Sequence, residues 1–385
     1  MKICIATTSF PRWNGDHRAP FIFGLAQALK EEGHAIRVAT LHTPGALGQE
    51  VMDSIEVQRM HYLPERLEVL QKEDGGMPVA WKKYPLARLA LLPFFLTQVV
   101  SIIRCARGCD LIHANWSLTG IAAWVGKFIH RKPYVVTVHG SDVFIGKSLP
   151  VVPWLTKQAL NDSKAVIAVS EALAEALRAM GVRPEKIQVI PNGVNTAVFF
   201  PGEERLGKDL LFVGNITENK GLRYLLTAFA NIQGQIPGVR MVIAGDGPER
   251  AAFEKLAQHL GIAEDVVFTG AKPQQSIAEM MRAAKVFVLP SLSEGFGVVL
   301  LEAMACGVPC IGTSVGGIPG ILNHGTGLLV PPGDPGALGE AILRLIQSPA
   351  LREEMRRKGI DQVACQYSWQ AISKRILSVY QQKTS

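Results

Sequence analysis

Two carboxylates, Glu294 and Glu302, stand on either side of a helix start within Pro290–Cys310, which reads PSLSEGFGVVLLEAMACGVPC. A carboxylate can accept two hydrogen bonds at once from a vicinal diol, so residues of this type suit hydroxyl-rich rings. Between them, Gly295 and Gly297 lead into the helix, where free backbone N–H groups and the helix dipole favour an anion. An anion loop is ordinarily electropositive, so carboxylates here need a reason. A ligand with phosphates in the middle and hydroxyl-rich rings at both ends supplies one, and a sugar nucleotide is such a ligand. A solvated helix end can carry two glutamates at the same spacing, and spacing alone does not separate the two readings. Two further residues have the right chemistry. Lys220, in Gly214–Gly221 (GNITENKG), puts a cation at another helix entrance, and His139, in the string HGSD, follows an apolar run. A histidine just past the carboxyl end of a parallel strand lies where doubly wound sheets bind ligands, although a lone histidine is often only packed.

The elements that must position these residues alternate. Lys285–Leu289 is a short apolar run of the buried-strand kind, Ser291–Gly297 a glycine loop, Val298–Ala305 a helix, and Gly307–Pro309 its stop. The chain opens with a strand over Lys2–Thr7, a loop over Thr8–Pro20, a helix over Phe21–Lys30 and a strand over Ala35–Thr40. Thr43–Arg88 is poorly patterned, with one strand-like piece at Ile55–Arg59 and a charged stretch at Gln71–Pro78; such segments are often functional or mobile. Strands at Asp110–Ala114, Tyr134–Val138, Ala165–Ser170 and Ile187–Ile190 follow, with a helix at Trp116–Phe128. Phe199–Asp209 is a linker by composition. A second strand–helix series then runs through Leu210–Val213, Leu222–Ala230, Met241–Ala244, Val266–Phe268 and Gly327–Val330, closing on the amphipathic Tyr367–Gln381. The expected fold class is α/β, with two Rossmann-like doubly wound domains.

Bulk properties agree with that division. A chain of 385 residues is too long for one core. Its net charge of +7 is lopsided: residues 1–200 carry 22 basic and 16 acidic side chains, the remainder 18 and 17. A basic first half suits an anionic membrane face or acceptor. No block of consecutive basic residues points to nucleic acid. The six cysteines show no CxxC spacing and read as free, mostly buried thiols of a reducing compartment, with a metal or disulfide role as the alternative. The N-terminal MKICIATTSF reads as a first strand rather than a signal peptide. The uncharged run Leu89–Ile103 falls short of a bilayer span; it can be a buried helix, or lie on a membrane or receive a lipid acceptor.

The string EGFG, a second Glu, and then AMA-C-G-V-P resembles the donor-site signature of the family 4 retaining glycosyltransferases, whose members share the GT-B fold of two domains facing a cleft. That resemblance implies an acceptor-binding domain over 1–195, a nucleotide-sugar domain over 196–365, and a last helix over 366–385 returning to the first domain. It implies His139, Lys220 and Glu294 as catalytic groups, with His139 against the donor sugar, Lys220 on the diphosphate and Glu294 on sugar hydroxyls. The donor would also meet Gly15, Asn215, Gly245, Lys272, Phe296, Gly297, Val298 and Glu302, the last holding the ribose diol. Asp16, Arg18 and Asp142 would face the acceptor. Family members carry an Arg where this chain has Asn215, so another cation, Arg223 or Arg18, is a candidate substitute. Gly316–Gly320 similarly resembles a family turn that ends in Glu rather than Gly320.

The implied activity is transfer of a hexose-type sugar from a UDP- or GDP-linked donor to a hydroxyl of a glycan or lipid-linked acceptor, in polysaccharide or glycolipid assembly. No cofactor is implied. No Asp-x-Asp stands in the loops concerned, so metal independence is expected. The expected location is cytoplasmic, with peripheral membrane contact through the first domain. The alternatives are a sugar-nucleotide epimerase of the same fold, or a catalytically silent sugar-nucleotide-binding partner. A nicotinamide dehydrogenase is disfavoured because no GxGxxG follows the first strand.

Overall fold

The computed structural model describes residues 1–16, 18–71, 80, 83–84, 87–140, 151–202 and 210–382. Gln71 itself is described; the rest of the charged stretch, together with His17 and most of the expected linker, lies outside the described residues. The chain divides into two compact units, Met1–Pro191 with Ile372–Ser385, and Asn192–Ala371.

Among the described residues the first unit is built on eight strands: β1 (Lys2–Ala6), β2 (Ala35–Leu41), β3 (Gln49–Met52), β4 (Ile55–Met60), β5 (Leu111–Asn115), β6 (Tyr134–Val138), β7 (Ala165–Ala168) and β8 (Ile187–Val189). Their order is β3-β4-β2-β1-β5-β6-β7-β8. All neighbours are parallel except β3 and β4. β1, β5, β6 and β7 are buried almost throughout, as parallel strands covered by helices must be. The edge strand β3 is not foreseen in the sequence. It closes a hairpin through Asp53 and Ser54, both at positive φ (45° and 61°), the pairing that a two-residue hairpin turn requires. Gln27 on the first helix, α1 (Pro20–Glu31), donates to the Asp53 carboxylate at 2.8 Å and Lys30 to its carbonyl at 2.6 Å.

The apolar run becomes α2 (Leu91–Cys105), which continues from a 3-10 turn at Ala87–Ala90. The helical segment Ala87–Cys105 is therefore 19 residues, longer than the uncharged run, because Arg88 and Arg104 extend it at both ends. It is long and apolar enough to cross a bilayer by length and composition, and a third of it is buried inside the protein. Phe94, Gln98, Ser101 and Ile102 face inward, whereas Leu89, Leu92 and Leu96 are exposed. The helix is thus neither wholly core nor wholly free. It packs beside α3 (Ser117–His130).

Among its described residues the second unit has six strands, β9 (Leu210–Val213), β10 (Met241–Ala244), β11 (Val266–Gly270), β12 (Val286–Leu289), β13 (Cys310–Thr313) and β14 (Gly327–Val330), in the order β11-β10-β9-β12-β13-β14 and all parallel. Strand order reverses direction between β9 and β12. In open α/β sheets a crevice forms outside the carboxyl ends at such a point.

The final helix, α4 (Trp369–Gln381), contributes its later residues to the first unit. There the Tyr380 hydroxyl lies 2.5 Å from Nδ1 of His113 on β5, whose Nε2 lies 2.6 Å from the Thr137 hydroxyl on β6. All six cysteines are unpaired, and five of them are buried.

Candidate functional site

The loops that leave β9 and β12 flank the switch point of the second sheet, and they bring Lys220 and Glu294 together. Lys220 Nζ lies 2.6 Å from Glu294 Oε2, and the Ser291 hydroxyl donates to the same oxygen at 3.3 Å. Glu294 Oε1 takes no hydrogen bond from the described residues. Both side chains are only partly exposed, 25% and 14%. Removing one partner of so shielded a pair would leave the other charge poorly compensated.

Backbone contacts hold the pair. Gly221, which ends the β9 loop, is at φ 68°, and a Cβ there would lie 1.9 Å from the Pro290 carbonyl oxygen. Leu292 N donates to Asn219 O at 2.8 Å, tying the two loops across that contact. Gly316, at φ 54°, presses on the other side; its Cβ would lie 1.6 Å from Glu294 O. No other residue type fits either place without moving the chain. The buried Ser291 is held in turn, since its carbonyl accepts from the Thr313 hydroxyl at 2.5 Å.

The helix after the β12 loop (Val298–Ala305) begins at Gly297 in the left-handed region. Val298 at its first turn is partly exposed. Glu302 stands one turn on, and burial raises its carboxyl to about 7 by desolvation. Phe296, expected at the donor, turns its side chain inward. Its ring is buried and lies 6.2 Å from the ring of Tyr367, so it braces the loop from inside and leaves only backbone toward a ligand.

Asn215 is exposed at the start of the β9 loop. Arg223, a candidate to replace the expected arginine, donates to Glu218 at 3.0 Å, and Arg18 in the other unit donates to the Gln71 carbonyl at 2.6 Å. Gly245 follows β10, where its N–H donates to Gly270 O at 3.0 Å, and Lys272 beyond β11 is exposed. Arg250 was not singled out by sequence reasoning. It joins this edge by bonding Glu254 at 2.8 Å and the Phe268 carbonyl at 3.4 Å, with Asp246 at 3.7 Å.

In the first unit His139 follows β6 and Asn115 ends β5, neighbouring strands. His139 Nε2 lies 3.1 Å from Asn115 Oδ1, and the ring packs against Phe21 and Trp116 at 5.1 and 5.0 Å. Desolvation lowers its pKa to about 3, so the ring is neutral at ordinary pH. With the Nε2 proton on Asn115, Nδ1 is an acceptor, and among the described residues neither it nor Asn115 Nδ2 has a partner. An acceptor and a donor without partners at one carboxyl edge suit a polar ligand. Sequence reasoning does not single out Asn115; the signal is a polar residue ending the strand next to the one that leads into His139.

The loop after β1 departs from expectation. Gly15 is exposed at φ 87°, a backbone angle that glycine takes without strain, and no protein atom stands within 4 Å of where a Cβ would be. Asp16, expected at the acceptor, is turned into its own loop. Its carboxylate is buried and accepts from the Arg12 backbone N–H at 2.9 Å and from the Arg12 guanidinium at 2.8 and 2.9 Å. It latches its own loop. Asp142 lies outside the described residues.

Residues 199–362 match the family model for glycosyl transferases group 1, and residues 20–198 the model for Glycosyltransferase Family 4. N-acetyl-alpha-D-glucosaminyl L-malate synthase of Bacillus anthracis is 29% identical, over 99% of this chain and 96% of its own length. Alpha-maltose-1-phosphate synthase of Mycolicibacterium smegmatis is 30% identical, over 74% and 82%. Among solved structures, sucrose-phosphate synthase from Thermosynechococcus elongatus superposes with a TM-score of 0.79 at 24% identity, covering 99% of this chain and 98% of that one. HepE from Anabaena in complex with UDP-glucose superposes with a TM-score of 0.75 at 20% identity, over 99% of both chains. These likenesses place the two doubly wound units in the GT-B fold. Two family models meeting at Val198 and Phe199, and a relative at 30% identity matched over most of its length, show that the chain is an enzyme belonging to the family 4, group 1 glycosyltransferases.

Proposed function

We propose that this glycosyltransferase takes a hexose-type sugar from a UDP- or GDP-linked donor and transfers it, with retention of configuration, to a hydroxyl of a glycan or lipid-linked acceptor. The observation that carries the reading is the Lys220–Glu294 pair beside the start of the Val298–Ala305 helix. One ammonium hydrogen stays on Glu294, leaving two for phosphate oxygens, and the first-turn N–H groups and helix dipole add to them. Glu294 Oε1 accepts from sugar hydroxyls, and Glu302 from the ribose diol. The neutral His139 offers Nδ1 to a hydroxyl of the bound substrates. In transfer the bond from the anomeric carbon to the diphosphate breaks, the acceptor oxygen bonds the same face of that carbon, and the acceptor proton passes to the departing phosphate. The chain's task is then to orient the reactants and stabilise the charge on the leaving diphosphate. Cations of the protein suffice for that charge in this reading, so the transfer is metal-independent.

The test is a thermal-shift panel of nucleoside diphosphates and their sugars, with and without EDTA, on the wild type and Lys220→Ala. One base is expected to raise Tm, with an increment that EDTA leaves unchanged and Lys220→Ala removes. A panel without any shift would refute the donor reading, and an increment lost in EDTA would refute metal independence. NMR of the product anomer checks retention.

We also propose that the enzyme works on the cytoplasmic side, as its unpaired cysteines suit, and touches an anionic membrane through the first unit. Exposed Leu92 and Leu96 on α2 and Phe128 (81% exposed) and Ile129 on α3 form apolar contacts of the right kind. Beside Phe128 a hollow of about 700 Å³ is lined by Arg131 and Lys132, together with Lys127, which pairs with Asp162 at 2.6 Å, and Lys164, which donates to the Tyr380 carbonyl at 2.6 Å. Near an anionic surface Arg131 and Lys132 would contribute ~1 kcal/mol each. Sedimentation with phosphatidylglycerol vesicles should show binding at low salt that weakens at least ~10-fold in Phe128→Ser/Ile129→Ser. Equal binding to phosphatidylcholine vesicles, or none at low salt, would count against this surface.

A further inference from the structure

We infer that His42, His61 and Glu68 form a binding site for a divalent transition-metal ion of the zinc type, separate from the donor loops. The three residues leave adjacent parts of one sheet edge. His42 follows β2, His61 follows β4, and Glu68 follows the 3-10 turn Glu65–Leu67. The ligand atoms converge within 4.8 Å of one another. His42 Nδ1 lies 2.5 Å from Glu68 Oε2, and His61 Nδ1 lies 3.2 Å from Glu68 Oε1. The two imidazoles stack with centroids 3.7 Å apart, so both Nδ1 atoms point at one carboxylate.

Hydrogen-bond accounting sharpens the assignment. His42 Nε2 lies 3.1 Å from the Ala46 carbonyl oxygen, which can only accept, so Nε2 carries the proton. His42 Nδ1 therefore presents its lone pair to Glu68 unless a cation lies between them. Glu68 is fully buried and also accepts from Tyr62 N at 3.1 Å. The corner thus needs a proton or a metal cation between His42 Nδ1 and Glu68 Oε2, with His61 Nδ1 converging on the same carboxylate. Without a metal, one proton lies between His42 Nδ1 and Glu68 Oε2 and His61 donates from Nδ1–H to Oε1; a metal ion would take the place of both protons and draw on all three ligand atoms. Two histidines and one carboxylate make a ligand set used for zinc, with a fourth position open to water. That position falls on the solvent side, where His61 is half exposed. The Ala46 carbonyl is the outer partner that metal-bound imidazoles ordinarily have, fixing the tautomer and aiming Nδ1. Bound there, the ion would clip the segment after β4 to the end of β2 and stabilise the first unit by binding only its folded form.

The test uses the full chain, tag-free and stripped of metal by EDTA and dialysis. Titration with Co²⁺ should give one equivalent with the ligand-field spectrum of a nitrogen–oxygen site, displaced by one equivalent of Zn²⁺, and Zn²⁺ alone should raise Tm. His61→Ala removes a half-exposed ligand and should keep the metal-free Tm while weakening Zn²⁺ binding at least ~100-fold. Glu68→Gln, nearly equal in volume, should lose the Co²⁺ spectrum as well. Absence of stoichiometric binding, or binding unchanged in His61→Ala, would overturn the site. So would a Tm that ignores Zn²⁺, since a proton alone would then hold the corner. None of these readouts depends on the transfer reaction.

Discussion

Lys220→Ala should lower kcat/KM by ~10²- to 10³-fold, the range seen when one preorganised donor to a developing negative charge is removed. The leaving diphosphate gains charge as the glycosidic bond breaks, and Lys220 is the cation that the second unit places beside Glu294. Its neighbours offer little replacement. Asn215 is neutral, and Arg223 is engaged with Glu218. The change also strips Glu294 of its partner, so the carboxylate becomes a repulsive neighbour for the phosphates. Binding should divide accordingly: the nucleoside diphosphate loses affinity, while the bare nucleoside, which has no phosphates to lose, binds both proteins alike. Lys220→Arg should recover only part of the rate, because a planar fork does not reproduce a compact ammonium. An unchanged kcat/KM in a folded Lys220→Ala protein would remove the diphosphate role from this residue.

Glu302→Gln should push stability and nucleotide affinity in opposite directions. Burial raises the Glu302 carboxyl from 4.5 to about 7. The folded state therefore holds a proton that the unfolded chain releases earlier. The neutral carboxyl is tolerated below about 4.5, and stability is lost as pH rises through 7. The glutamine variant escapes that loss, so at pH 8 it should be more stable by up to ~3 kcal/mol, with the gap closing in acid. Affinity runs the other way. A carboxylate accepts both hydroxyls of a ribose diol and an amide offers one oxygen, so hydrogen bonds of the charged kind, ~1.5–3 kcal/mol each, are weakened. A 10- to 100-fold loss of nucleotide affinity follows at pH 8, and a 2′,3′-dideoxynucleotide should not distinguish the two proteins. Wild-type affinity should also climb as pH rises through 7. Urea unfolding at pH 5 and 8, with calorimetry at pH 8, measures both effects. A variant matched to wild type in stability and affinity would mean that Glu302 is neither strained nor used.

Much of the second unit is legible in the sequence because its elements are short, apolar and sharply punctuated. Leu210–Val213, Met241–Ala244, Val298–Ala305 and Gly327–Val330 fall at the expected bounds, each stopped by Gly, Pro or a polar turn. Edge strand β3 is not legible, since QEVM carries little strand preference and Asp-Ser is a weak hairpin signal beside Asn-Gly. Side-chain direction is the second gap. The string EGFG identifies the loop, but nothing in it says that Phe296 turns into the core while Glu294 turns to a lysine 74 residues away. Asp16 shows the same limit: a carboxylate in a polar loop reads as available, and only tertiary structure reveals the Arg12 latch. The corner of His42, His61 and Glu68 is invisible for the opposite reason, because His61 and Glu68 lie in the stretch with the least pattern and His42 just before it.

The His113–Tyr380 contact bears on the order in which the protein is made. The first unit needs the hydroxyl of Tyr380 over a histidine in the middle of its sheet, yet that tyrosine is synthesised only after the whole of the second unit. On a translating ribosome domains ordinarily close in the order they emerge. Here the intervening unit has its last strand and its donor loops long before the earlier sheet receives its closing helix. For that interval the older half waits with the side of β5 that carries His113 uncovered, and the newer half is finished first.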